Sequence, residues 1–448
     1  MSAVYRESGL GSQPNLAQAH LPSCSSDLVR PWSLYTSGQR WTYLALLFVM
    51  STSNYFDRNV LSVLLEPIKR EFRVSDTMLG LLSGLCFSVF YVLAGIPVAR
   101  WADRGNRRTI VTLALATWSA TTMFCGLAQR FWQLALARVG VGIGESGAIA
   151  PAQSLIADYF PPEQRAVALG AFDAAGTAGY LLGVAIGGFV AANYGWRNVF
   201  LLAGAPGLLV ALVVRFCLPE PRMRVALASR TAGREGVAEA LSILWRKHSY
   251  LYAVASSIVY WFFAYGVLIF IPSFLVRVLG VPLARASLLY GSVAAVASVV
   301  GAVGGGWLAD QLGRRDVRWL AWFPALTYTL ATPAFGFAFA LNSFSSFLIL
   351  AFVGMLLLTA GSPPVFAATH AICGSRRRAT AIAILFFSAT LAGGGLGPLA
   401  TGALSDTLGR VYGNTGLGYA LCAATALLPV SAILLHAMAR RMPSDIEQ

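Results

Sequence analysis

Hydrophobic residues run along this chain in long unbroken blocks. Twelve blocks can be marked, each about 20 or more mostly apolar residues and so long enough to cross a bilayer as a helix. The first six cover 41–64, 77–100, 108–128, 131–154, 166–192 and 197–218; the second six cover 250–276, 284–309, 317–340, 343–368, 378–404 and 416–440. The stretch between the two sets, 219–249, is the longest charged insert. The pattern predicts an all-α integral membrane fold of twelve transmembrane helices in two six-helix bundles. Its parts are a disordered tail (1–40), an N-terminal bundle (41–218), a linker (219–249), a C-terminal bundle (250–440) and a short tail (441–448).

Composition supports that reading. Of the 448 residues, 57% are hydrophobic and only 12% charged, about half the charged share of a typical soluble protein. Mean hydropathy is +0.65. A soluble enzyme, a disordered chain and a disulfide scaffold are excluded. The 44 glycines suit a polytopic protein, because small residues let membrane helices approach closely.

The net charge of +14 would suggest nucleic acid in a soluble protein, but here its placement matters more. Of 33 Lys and Arg, 22 fall on one set of termini and loops and 8 on the opposite set, while Arg58, Arg138 and Arg215 fall in or at the end of blocks. By the positive-inside rule the richer side is cytoplasmic and faces anionic lipid. An even number of spans then puts both termini there, and no nucleic-acid role is expected. Six scattered cysteines show no disulfide or metal spacing. Residues 1–40 lack a cleavable leader pattern. A chain with 31 Arg and 2 Lys suggests a GC-rich genome and a bacterial inner membrane.

The halves repeat. After block two the chain reads Asp103-Arg104-Gly105-Asn106-Arg107-Arg108; after block eight it reads Asp310-Gln311-Leu312-Gly313-Arg314-Arg315, at an offset of 207 residues. Glycines of block five (Gly176 to Gly188) are echoed in block eleven (Gly393 to Gly402). Such repeats point to a two-bundle transporter with its site between the halves. In each loop an aspartate at a helix end can pair with loop arginines and with a neighbouring helix N-terminus. The expected device is a clasp that closes the cytoplasmic face. Asp158, Glu163 and Arg165, at the inner end of block four, are expected to join Arg104 and Arg107 in it.

These loops resemble the signature loops of the major facilitator superfamily over residues 40–440. Departures are Ala99 and Asn106 in the first copy and the lack of a fifth-span proline, which weakens an antiporter assignment. A narrower resemblance rests on Asn54-Tyr55-Phe56-Asp57-Arg58, on Arg138 through Gly142-Ile143-Gly144-Glu145, and on Gly393 through Asp406. Together these are similar to the Spinster-like branch, although the organic-anion symporters share the first element. The resemblance implies alternating access, a cavity lined by spans 1, 4, 7 and 10, and proton-coupled movement of a lysolipid- or sphingosine-phosphate-like amphiphile. Alternatives are a proton-coupled symporter of small organic anions such as sugar acids, a multidrug/proton antiporter, and a non-transporting receptor.

The site chemistry follows from cost. A charge at mid-bilayer costs at least about 2.5–3.5 kcal/mol, so Asp57, Arg58, Arg138, Glu145 and Asp173 must face a cavity or a partner. Arg138 and Glu145 share a helix face about 10 Å apart, and depth lets Glu145 meet the Asp57-Arg58 pair. In low dielectric the neutral form of a carboxyl group is favoured. Asp57 and Glu145 are therefore the expected proton-coupling pair, and Arg58, once released, binds an anionic head. Asn54, Tyr55 and Arg138, with Tyr260, Trp261 and Tyr265 of span seven, are expected to line the substrate path. The double proline Pro363-Pro364 should break span ten, and His370 belongs to the interface. Gly142-x-Gly144-x-x-Gly147 follows no strand and reads as a packing surface. No phosphate loop, nucleophile or cofactor motif is present, so a monomeric non-enzyme using protons as coupling ion is expected.

Overall fold

The computed structural model describes residues 31–221 and 237–446; most of the expected N-terminal tail and the centre of the linker lie outside them. The described residues are almost entirely helical, with short turns and irregular links and no strand among them. Spans 1 to 6 are α1 (Ser37–Phe72), α2 (Asp76–Ser83) with α3 (Leu85–Arg104), α4 (Arg107–Leu127), α5 (Phe131–Glu145) with α6 (Ile149–Tyr159), α7 (Pro162–Tyr194) and α8 (Trp196–Cys217). The linker carries α9 (Val237–Arg246). Spans 7 to 9 are α10 (His248–Leu268) with α11 (Ile271–Arg277), α12 (Leu283–Gly313) and α13 (Trp319–Ala340). Span 10 is α14 (Phe344–Ala360) and the first part of α15 (Ser362–Ser388), and it ends where Gly374 takes φ 67°. Span 11 is the rest of α15, a π-helical turn at Ala389–Gly395 and α16 (Leu396–Tyr412). Span 12 is α17 (Gly416–Ala424) with α18 (Leu427–Asp445).

The expected boundaries shift where local chemistry acts. The tail ends before residue 40: Pro31–Leu34 forms a 3₁₀ turn, and Tyr35 packs edge-on against Tyr43 and Tyr159. Thr36 and Gln39 then form a capping box that starts α1. α1 runs two turns past the apolar block, to Phe72, because Glu66, Lys69 and Arg70 are held by ion pairs there. α18 continues through the expected C-terminal tail to Asp445, whose carboxylate accepts from the backbone N–H of Ser249. Pro363 and Pro364 occupy the first turn of α15, just after α14 ends, so span ten is broken at that point.

Eight helical stretches are long and apolar enough to cross a membrane on composition alone. Spans 1, 4 and 9 are not among them, and spans 1 and 4 carry Asp57, Arg58, Arg138 and Glu145.

The bundles are joined on the face opposite the linker, called here the far face. The glycines echoed between spans 5 and 11 make this seam and its flanks. Gly188 of α7 abuts Ser287 of α12, and Gly80 of α2 abuts the carbonyl of Pro398. Gly402 abuts the carbonyl of Asp76. Beyond these contacts lies a network of charge. Arg277 donates to Asp76 Oδ2 at 2.6 Å and to Glu66 Oε2 at 2.8 Å, crossing from the C-terminal to the N-terminal bundle. Asp406 of α16 accepts from the backbone N–H groups of Asp76 and Thr77 at 2.9 and 2.8 Å, capping α2 from the other bundle. Among the described residues no ion pair joins the bundles on the linker face. The protein is thus sealed on the far face.

Arg277→Gln should weaken that seal. Losing this partner of two largely buried carboxylates should shift the equilibrium by about 1–3 kcal/mol, or roughly 5–150-fold. Double electron–electron resonance between labels at Met78 and Val411, both exposed, should then show a longer-distance population; an unchanged distribution would contradict the lock.

Candidate functional site

The N-terminal bundle brings its buried charges together because glycines let three helices approach. A Cβ on Gly142 would lie 2.6 Å from the Phe87 carbonyl of α3, and one on Gly144 would lie 2.6 Å from the Trp118 nitrogen of α4. Span 4 therefore lies directly on spans 2 and 3, and α5 stops at Glu145, where Ser146 to Ala148 interrupt the helix. Gly179 and Gly183 of α7 likewise receive α1, at the Tyr55 Cβ (2.6 Å) and the Phe56 carbonyl (2.9 Å). This packing fixes the middle of α1, with Asn54, Asp57 and Arg58, against span 4.

Arg58 Nε donates to Glu145 Oε2 at 2.6 Å; the Glu145 side chain is fully buried and the Arg58 side chain is 19% exposed. The guanidinium carbon lies 4.7 Å from the centre of the Tyr91 ring, 4.9 Å from that of Phe87 and 5.9 Å from that of Tyr55. Aromatic faces attract such a cation most strongly where water is excluded. Tyr265, from the opposite bundle, also interacts with this head.

Asp57 and Arg138 lie deeper. Asp57 is fully buried, with Oδ2 accepting from the Thr122 hydroxyl at 3.3 Å. Asn54 is buried beside Glu145. Arg138 is 2% exposed and within electrostatic reach of both carboxylates, without a direct ion pair. Asp57 Oδ1, Glu145 Oε1 and Arg138 Nε and Nη1 have no hydrogen-bond partner among the described residues. Buried polar groups are normally satisfied. Two guanidinium and two carboxyl groups with spare donor and acceptor atoms can accept a proton or exchange partners without dismantling a filled network.

The wall from the C-terminal bundle is aromatic. Tyr260 stacks on Tyr328 with ring centres 5.1 Å apart, and Trp261 stacks on Tyr265 at 5.2 Å. Trp261 and Tyr265 lie on the π-helical turn, at Gly393 and Gly394. A π-turn of this kind is often found at functional sites; it was invisible in the sequence, where only the glycine run hinted at it.

Of the expected clasp, the pairing of Arg107 with Asp158 is present, and a further carboxylate joins it. Arg107 is fully buried and donates to Asp158 at 2.7 Å and to Glu220 at 2.6 Å. Glu220 also accepts from the backbone N–H of Arg107 at 2.6 Å, so this carboxylate caps α4. Glu220, flanked by Pro219 and Pro221 at the start of the linker, was not anticipated. This knot lies within the N-terminal bundle and its linker, not across the two halves. Arg165 donates to the Phe160 carbonyl and stacks over Trp32, Glu163 is exposed in the first turn of α7, and the backbone N–H of Arg108 approaches Glu220 at 3.4 Å. Asp103 and Arg104 occupy the last turn of α3, with side chains outside the described residues. In the second copy Asp310, Arg314 and Arg315 are exposed, without an ion pair among the described residues. Asp173 and His370 are also exposed.

Comparison with known proteins agrees with this architecture. Residues 47–398 match the Major Facilitator Superfamily. An "MFS-type efflux pump" of Mycolicibacterium smegmatis is 35% identical over 412 residues, covering 91% of this chain and 94% of that protein. A crystal structure of a bacterial homolog of the human lysosomal transporter Spinster, in an inward-facing and unoccupied conformation, superposes with a TM-score of 0.85 at 30% identity. The superposition covers 92% of this chain and all of that one. The sphingosine-1-phosphate transporter SPNS2 of Danio rerio is 28% identical over 394 residues, covering 82% of this chain and 78% of that protein. With two bundles, a far-face seal and a Gly-x-Gly-Glu element presenting Glu145 to Arg58, this multi-pass membrane protein belongs to the Major Facilitator Superfamily as a Spinster-like transporter.

Proposed function

We propose that the protein moves an amphiphile with an anionic head across the membrane by alternating access, coupled to protons. The observation that carries this reading is the Arg58–Glu145 pair, buried at one end and aromatic-faced at the other. Protonation of Glu145 removes the charge that holds Arg58. The freed guanidinium then offers its planar fork to a phosphate or carboxylate head. Asp57 and Arg138 supply a second carboxylate and cation to which proton and charge can pass. Tyr260, Trp261 and Tyr265 offer the apolar part of the cargo an aromatic wall.

The linker face, richer in Lys and Arg, is assigned to the cytoplasm by the positive-inside rule. The far-face seal then corresponds to a protein open to the cytoplasm, in line with the inward-facing relative. A small-anion symporter needs a second cation facing the cargo from the C-terminal wall. The described side chains there are aromatic and hydroxyl-bearing instead, which favours an amphiphile.

Two outcomes test the reading in proteoliposomes with labelled lysolipids. Glu145→Gln should flatten the pH profile of uptake; a profile identical to the parent would remove Glu145 from coupling. Arg58→Lys keeps the charge but loses the fork, so the half-saturating concentration of an anionic cargo should rise about tenfold while pH dependence persists. An unaltered half-saturation would show that Arg58 does not hold the head.

A further inference from the structure

Above the Arg277 lock the far face opens into a cavity of about 780 Å³ between the outer ends of α1, α11 and α16. Its lining carries more positive than negative charge. Glu66, Asp76 and Asp406 contribute three carboxylates, against the five cations Lys69, Arg70, Arg73, Arg277 and Arg410.

Each carboxylate already has a partner. Asp76 accepts from Lys69 Nζ at 2.6 Å, from both terminal nitrogens of Arg277, and from the Ser405 hydroxyl at 2.6 Å. Asp406 is taken up by the N-terminus of α2, and Glu66 by Arg277 and, more distantly, Arg70 at 3.4 Å. None of these three carboxylates pairs with Arg73 or Arg410 among the described residues. Both are exposed and form no ion pair among the described residues. Arg73 ends α1 at φ 54°, a left-handed conformation that residues with a side chain seldom adopt.

We propose that this vestibule is a binding site for a phosphate monoester or inorganic phosphate dianion, held by Arg73 and Arg410 with Lys69 at its floor. The excess of two positive charges matches a dianion, and guanidinium groups bind phosphate oxygens in pairs. The volume falls within the range of small-molecule sites. An occupant competes with Asp76 for Lys69 and so loosens the far-face lock. The site is separate from the Arg58–Glu145 pair and does not rest on the cargo inferred for it. The phosphate can come from free solute or from the head of a single-chain lipid.

The test uses the full chain in phosphatidylcholine nanodiscs at constant ionic strength, titrated calorimetrically with inorganic phosphate and separately with a long-chain lysophosphatidate. Binding of at least one of them should weaken at least about tenfold in Arg73→Gln/Arg410→Gln and largely return in Arg73→Lys/Arg410→Lys. If lysophosphatidate alone shows this dependence, the source is lipid; if phosphate alone does, it is solute. The proposal is overturned if neither ligand's binding depends on the two arginines, or if matched chloride gives the same heats as phosphate.

Discussion

The structure is organised around the cost of placing charge in oil. Four ionisable groups lie inside the N-terminal bundle, Asp57, Arg138 and Glu145 buried and Arg58 partly so, and each would be expensive if isolated there. Helix packing is subordinate to that cost. Gly142 and Gly144 bring span 4 onto spans 2 and 3, and Gly179 and Gly183 bring span 5 onto span 1. The carboxylate and the guanidinium meet because these four positions have no side chain. The aromatic rings around Arg58 cover the remaining open side of the cation.

Much of this was legible in the sequence, because the physics that makes it is written in local composition. Apolar blocks of span length, the repeat around Asp103 and Asp310, and charges inside blocks each require only a short window to detect. The meeting of Arg58 with Glu145 followed from depth along two helices. What remained hidden depends on pairing between distant segments. Arg277, Glu66, Asp76 and Asp406 sit at block ends, where charge is ordinary, and only the fold shows that they bond across the two halves. Glu220 looked like one more charge in a polar linker until it was found capping α4. The loop motif suggested a clasp on the cytoplasmic face in which Asp158 joins Arg107; that pair forms, but nothing in the motif pointed to Glu220, which shares the same guanidinium.

The two halves are related by repetition yet divide the chemistry unequally. The N-terminal bundle holds the buried charges, while the facing wall of the C-terminal bundle is built from Tyr260, Trp261, Tyr265 and a glycine-rich π-helical turn. That division has a mechanical consequence. A charged cluster confined to one bundle can move with it without breaking an ion pair between the halves. The aromatic wall opposite it makes contacts that slide without leaving a charge unpaired.

The seam itself has the properties a reversible closure needs. Its central contacts are between small residues and backbone, as at Gly80 with Pro398 and Gly402 with Asp76. In a membrane such contacts gain from close packing rather than from expelling water, so their strength falls quickly once the helices part. The strongest cross-bundle bonds are those of Arg277 and Asp406, at the mouth of a cavity open to solvent. Water can take over these partners as they separate, which lowers the cost of opening compared with breaking an ion pair in the bilayer core. The lock is therefore placed where charge is cheapest to release, and the Arg58–Glu145 pair where charge is most expensive to leave unpaired.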